Sequence, residues 1–245
     1  MTLPADRDPF GLVLADLLAG RDAMTIVERD DGYFDAEDSR FYLRGVRRWP
    51  AIERQALRYV RGRVLDVGTG AGRVALELQG RGRQVVGIDV SPRAARVARK
   101  RGVKDVRMAN LENLADSLGR FDTVVMFGNN LGLLQSAAKA KRILRRLHTV
   151  TFDRGRIVGT NFDPHKTKNP QNRAYHRRNR EAGRLPGQIR LRLRYRHLTS
   201  PWMEWLFLSP RELETLIEGT GWRIGRILPA KDSGEYAAIL EKDSQ

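Results

Sequence analysis

From residue 63 onward, short apolar runs alternate with stretches of helical spacing. RVLDV (63–67), QVVGID (84–89), DVRMA (105–109), DTVVMFG (122–128) and RIVGTNF (156–162) read as five strands. Between them, AGRVALELQGRG, SPRAARVARKRG and a stretch over about 135–148 read as helices, and a short helix with Leu111, Leu114 and Leu118 follows the third strand. Ser91 and Pro92 form an N-cap and first-turn pair. Such alternation predicts a doubly wound α/β fold, whose ligands bind at the carboxyl ends of the strands.

The flanking segments follow other patterns. Asp8-Pro9 opens a helix with Leu12, Val13, Leu14, Leu17 and Leu18. The acidic stretch DDGYFDAED reads as a turn, a second helical stretch starts near Ser39, and Pro50 opens a helix over 50–61. The whole of 1–61 is therefore expected to be an N-terminal helical cap. Residues 163–187 are polar and long for a connection, which predicts a mobile loop or lid ordered by substrate. QIRLRLRYRHL alternates strictly, predicting a strand with one buried face, and PWMEWLFL (201–208) is a candidate to pair with it. A helix starts at Ser209-Pro210, and WRIGRILP with EYAAILEK reads as a terminal antiparallel hairpin. The expected architecture is a mostly parallel seven-stranded sheet with helices on both faces. It forms one domain over 1–245: cap 1–61, core 62–163, basic insertion and extra strands 164–208, and helix plus hairpin 209–245.

Composition narrows the chemistry. The 245 residues include no cysteine, which excludes disulfides, thiolate metal sites and cysteine nucleophiles. No metal site is expected. No apolar run is long enough to span a membrane and the N-terminus lacks a secretory pattern, so a cytoplasmic location is expected. The chain carries 45 Lys+Arg against 29 Asp+Glu, a net +16. Over 163–200 there are eleven Lys and Arg against Asp163 and Glu181. Such a field attracts polyanions.

The glycines of VLDVGTGAG (64–72) mark where a ligand approaches the backbone. A dinucleotide fingerprint needs glycine at the position of Arg73, and the third glycine instead comes one place early, at Gly72. Asp66 lies two residues before the first glycine, where a carboxylate repels a pyrophosphate and suits an ammonium. Asp89 ends the second strand, where a carboxylate can accept hydrogen bonds from a ribose. Together they call for a nucleoside carrying an amino acid.

The sequence resembles the class I S-adenosylmethionine-dependent methyltransferases. VLDVGTGAGRVALEL, VVGIDVSPRAARVARKRG, FDTVVMFGNNLGLL and GRIVGTNFD carry the resemblance in order, over about residues 60–163. It implies S-adenosylmethionine as cofactor, with Asp66 near the methionine ammonium and Gly68, Thr69, Gly70 and Gly72 along the backbone approach. It further implies Asp89 and Val90 at the ribose, Asn110 and Leu111 at the adenine, and Phe127, Gly128 and Asn129 beside the reacting methyl. Asn110 departs from the acid often found there, and an amide can both donate and accept.

The acceptor is less constrained. Cytosine C5 and thiol-dependent arsenic methylation need cysteines, and GNNLG lacks the prolines typical of enzymes acting on exocyclic base amines. The expected acceptor is a small molecule methylated on oxygen or nitrogen, with RNA bound by the basic insertion as the alternative. An aminopropyl transferase and a non-catalytic cofactor-binding module are the other readings. His165 is the candidate general base and Tyr33 a second catalytic candidate; Tyr42, Asn130, Tyr175 and His176 are acceptor-side candidates. Nothing in the pattern fixes the oligomeric state.

Overall fold

The computed structural model describes residues 2–231 and 233–243. Helix α1 (Pro9–Leu18) is followed by strands β1 (Met24–Arg29) and β2 (Phe34–Asp38), 3-10 turns, and the short helix α2 (Ala51–Ala56). The alternating part comprises β3 (Val64–Val67), α3 (Arg73–Gly80), β4 (Val85–Asp89), α4 (Pro92–Lys100), β5 (Val106–Met108), β6 (Phe121–Met126), α5 (Ala137–Thr149) and β7 (Thr151–Phe162). Then come α6 (Pro170–Glu181), β8 (Gln188–Tyr195), β9 (Leu198–Thr199), β10 (Met203–Leu206), α7 (Pro210–Ile217), β11 (Trp222–Pro229) and β12 (Glu235–Lys242).

The chain divides into two compact units. The first comprises the residues up to Trp49, Arg63–Ala115 and Arg190–Met203. The second comprises Pro50–Gly62, Asp116–Ile189 and the chain from Glu204 onward. Strands β3, β4 and β5 of the first unit pair in parallel, with Leu65 opposite Val86 and Gly87 opposite Val106. In the second unit the order is β11-β12-β7-β6. There β6 and β7 run parallel, and β12 runs antiparallel to both neighbours. These are the seven strands of the expected mixed, mostly parallel sheet, terminal hairpin included.

The first unit also holds an element that the sequence pattern hides. Residues 24–38 form a β-hairpin, with Ile26 opposite Ala36, so the expected helical cap is only partly helical. The stretch after Ser39 forms 3-10 turns over Ser39–Leu43 and Val46–Arg48 rather than a helix. Strand β1 pairs on its other side with β8, Val27 opposite Leu193. The arginines of β8 are therefore not simply a solvated face. Glu28 accepts from Arg192 Nε and Nη2, both at 2.7 Å, and from Arg194. This two-arginine clamp holds the Glu28 carboxyl down to about 2.

Helix α1 is seated by its own cap. Asp8, fully buried, accepts from Gly11 N at 2.9 Å and from Ser91 Oγ at 2.8 Å. Ser91 Oγ in turn accepts from Ala94 N at 2.9 Å, so the caps of α1 and α4 share one hydrogen-bond chain. Leu14 then packs with Ala71, Ala94 and Val97. Burying one such leucine contributes about 1.5–3 kcal/mol.

In the second unit, Ile143, Leu144 and Leu147 make the buried face of α5. The Leu144 carbonyl accepts from the buried Trp222 indole at 2.9 Å. Segment 163–187, expected as a loop, holds a 3-10 turn and the twelve-residue helix α6. Asn169 caps α6 by accepting from Gln171 N at 2.8 Å, with Pro170 in the first turn. Asn179 then fixes the exit, donating to the carbonyls of Pro186 and Gln188 at 2.9 and 2.6 Å.

Candidate cofactor site

The turn between β3 and α3 is built from left-handed backbone. Gly68, Gly70 and Gly72 have φ of 67°, 54° and 77°. The three glycines serve different ends. A Cβ on Gly72 would lie 2.4 Å from Val103 Cγ2, so this glycine serves packing. A Cβ on Gly70 would make only ordinary contact, its nearest atom being Phe10 Cε1 at 3.7 Å, so this glycine is required by its left-handed backbone and not by crowding. Gly72→Ala combines a disfavoured φ with overpacking and is expected to destabilise by about 2–4 kcal/mol, measured by urea denaturation. A loss below 1 kcal/mol would contradict the packing role.

Two carboxylates bracket this turn. Asp66, 2% exposed, accepts from Thr69 Oγ1 at 2.7 Å. Burial pushes its carboxyl up to about 6, against the opposing hydrogen bond from Thr69 and the charge of Arg73. Asp89, half-buried at the end of β4, accepts from Gly70 N through Oδ2 at 2.8 Å and from Ser91 N through Oδ1 at 2.9 Å. Burial raises its carboxyl as well, and the two backbone donors oppose that shift. A carboxylate has about four acceptor positions, so Asp89 can take ribose hydroxyls while holding the turn. Arg73, where a dinucleotide fingerprint would have glycine, is buried with its guanidinium 4.3 Å from the Phe41 ring and 4.7 Å from the Trp49 ring.

The remaining first-unit candidates have partners of their own. Asn110 caps the 3-10 turn Leu111–Asn113, accepting from Glu112 N at 3.0 Å, and Leu111 is buried. The Val90 carbonyl accepts from Leu3 N at 2.9 Å, which ties the N-terminal segment to the end of β4. Tyr42 packs edge-on against Phe10 with ring centroids 4.9 Å apart. Tyr33 lies in the β1–β2 turn under the Arg29 guanidinium, 4.7 Å from its ring.

The second unit carries the other candidates. Phe127 is buried, and Gly128 and Asn129 both adopt left-handed backbone, φ 73° and 61°. Gly128 N donates to Glu53 Oε1 at 2.7 Å and Asn129 N to Thr160 Oγ1 at 2.9 Å. Asn130 opens the following 3-10 turn. His165 sits on the 3-10 turn after β7, its Nε2 3.0 Å from Glu212 Oε1. Tyr175 and His176 are buried on the inner face of α6.

Sequence reasoning missed Phe10, the Asp8–Ser91 link, Thr160 and Glu53. Glu53 alone left a signal: a carboxylate in the stripe Ile52, Glu53, Ala56, Leu57 of a short helix, where all four are buried.

Residues 64–155 match the family model described as a methyltransferase domain. A solved structure of an S-adenosylmethionine-dependent methyltransferase from Bacteroides fragilis, bound to S-adenosyl-L-homocysteine, superimposes with a TM-score of 0.86. It is 26% identical, over 100% of this chain and 98% of that one. Residues 64–155 are thus a class I S-adenosylmethionine-dependent methyltransferase domain. Two more distant structures share the fold. The CcbJ methyltransferase from Streptomyces caelestis has a TM-score of 0.61 at 14% identity, covering 83% of this chain and 98% of its own. The glycopeptide N-methyltransferase MtfA, complexed with S-adenosylmethionine, has a TM-score of 0.56 at 14% identity, covering 77% and 93%.

The methyltransferase's residues fit this cofactor. The donor set is of the right chemistry: the carboxylates of Asp66 and Asp89 flank the glycine turn, acceptors of the kind that an ammonium and a ribose need. Among the described residues, no helix is long and apolar enough to cross a membrane.

Proposed function

We propose that this methyltransferase acts on a small molecule, at oxygen or nitrogen. When bound, S-adenosylmethionine supplies an electrophilic methyl, and the protein's share is orientation and exclusion of water. The observation that carries the reading is the roof over the glycine turn. Phe10 lies over Gly70, and Tyr42 backs Phe10. A covered turn of this kind suits a metabolite better than a polymer.

The residue assignments extend this reading. Asp66 takes the methionine ammonium, Asp89 the ribose hydroxyls, and Asn110 and Leu111 the adenine. Gly128 and Asn129 are held by Glu53 and Thr160, so the turn they form is set before substrate arrives. His165, oriented through Nε2 by Glu212, keeps Nδ1 for the proton of a hydroxyl or ammonium acceptor. Tyr42 belongs to the acceptor side.

A transfer assay with tritiated methyl donor, run in parallel on a metabolite extract and on total RNA, tests the proposal. Label is expected in the small-molecule fraction and is expected to vanish with Asp66→Ala. Label in RNA, lost in the same variant, would overturn it.

A further inference from the structure

Helix α6 has a sharply divided surface. Tyr175, His176 and Asn179 point inward and are buried. Arg173, Arg177, Arg178 and Arg180 are all exposed, with Glu181 as the one carboxylate of the helix. At 100° per residue, Arg173, Arg177 and Arg180 fall within about 60° of one another. Lys166 and Lys168, also exposed, precede the helix.

Some surface arginines among the described residues are neutralised locally. Arg40 and Arg44 share Asp38, Arg81 pairs with Glu77, and Arg107 pairs with Asp105. On α6 the arrangement differs. Arg178 lies over the Tyr175 ring at 4.7 Å, and Arg173 donates through Nε to the Thr167 carbonyl at 3.1 Å. Arg177 and Arg180 have no partner among the described residues, and Glu181, one turn after Arg177, does not pair with it. A helix that leaves like charges side by side loses a little stability for it.

We propose that the outer face of α6 docks on the phosphate backbone of a nucleic-acid duplex. Charge complementarity argues for this occupant. From Arg173 to Arg180 the helix rises by about 10 Å, which spans about three phosphates of one strand. The face carries no large exposed apolar residue: those of the described chain are Leu18, Met24, Phe34 and Phe152. Such an anchor would have added apolar burial to any membrane contact, and its absence leaves charge alone. Tyr175 and His176, the ring-bearing side chains of the helix, are buried and cannot stack on a base. Docking is therefore through phosphates and indifferent to base sequence. It stands whichever acceptor is methylated, because α6 would hold the backbone and not present the reacting atom.

The test is fluorescence anisotropy of the full chain with a labelled 20-base-pair RNA duplex and with DNA of the same sequence, from 50 to 200 mM salt. The plot of log affinity against log salt is expected to have a slope of about −3. R177Q/R180Q should flatten that slope by roughly 2. Both side chains are exposed and partnerless among the described residues, so the variant should keep the wild-type melting temperature and S-adenosylhomocysteine binding. Binding of either duplex with that loss of slope supports the proposal, and the two arms identify RNA, DNA or both as the source. Absence of binding at 50 mM salt, or a slope unchanged in the variant, overturns it. So does binding of anionic phosphatidylglycerol vesicles alone. Loss of cofactor binding in Asp66→Ala with duplex binding retained would separate this face from the methyl-transfer site.

Discussion

Asp66→Asn is expected to stabilise the cofactor-free protein above about pH 6 while crippling its affinity for the cofactor. The reason lies in the sign of the shift. Burial raises the Asp66 carboxyl to about 6, against about 3.9 for an unfolded chain. Between these values the folded state holds a proton that the unfolded state has released, so stability falls as pH rises. The penalty is absent below about pH 4 and complete above about pH 6, and two pKa units amount to about 3 kcal/mol at most. Asparagine removes the charge and keeps an acceptor for Thr69. Urea denaturation from pH 4 to 8 should show the wild type losing ground to the variant across that window.

The same ionisation governs binding. The ammonium of S-adenosylhomocysteine needs Asp66 charged, so wild-type affinity should fall roughly tenfold between pH 7.5 and pH 5. In the Asn variant, affinity should be weak at both values. Calorimetry with S-adenosylhomocysteine measures this without an acceptor. A wild-type affinity that does not move over that range would remove Asp66 from the ammonium's side.

Asp89→Ala is the second large effect. It deletes the acceptor for Gly70 N and Ser91 N as well as the proposed ribose contact. Losing charged hydrogen bonds should weaken product binding by about 1.5–3 kcal/mol, roughly ten- to a hundredfold. Adenine binding in isolation should change less than adenosine binding, because only the latter carries the hydroxyls. A folded variant with undiminished affinity for the product would exclude Asp89 from the site.

The cofactor half of this protein was legible because it is local. Asp66, the glycines and Asp89 lie at strand ends within a short stretch, and each strand has β-branched residues to mark it. Strand β2 gave no such mark. All five of its residues, FDAED, are exposed, so no alternation betrays it. Helix α6 was obscured by its polarity, although Asn169-Pro170 is a cap and first-turn pair. The supports contributed by Phe10, Thr160 and Glu53 come from segments far off in sequence. Glu53 and Gly128 are 75 residues apart, and no local pattern couples them. The acceptor's identity is unwritten for a related reason, since methyl transfer needs no fixed nucleophile and loops set the pocket.

The clamp on Glu28 has a consequence for how the protein yields to acid. Its carboxyl titrates near 2, whereas Asp66 titrates near 6. Glu28's contribution, present above its ordinary range, is lost only as pH falls through about 2. Mild acidification therefore disarms the ammonium seat first and leaves β1 and β8 stapled together. Return to neutral pH would then restore cofactor recognition without refolding that part of the chain, making the loss a reversible dormancy.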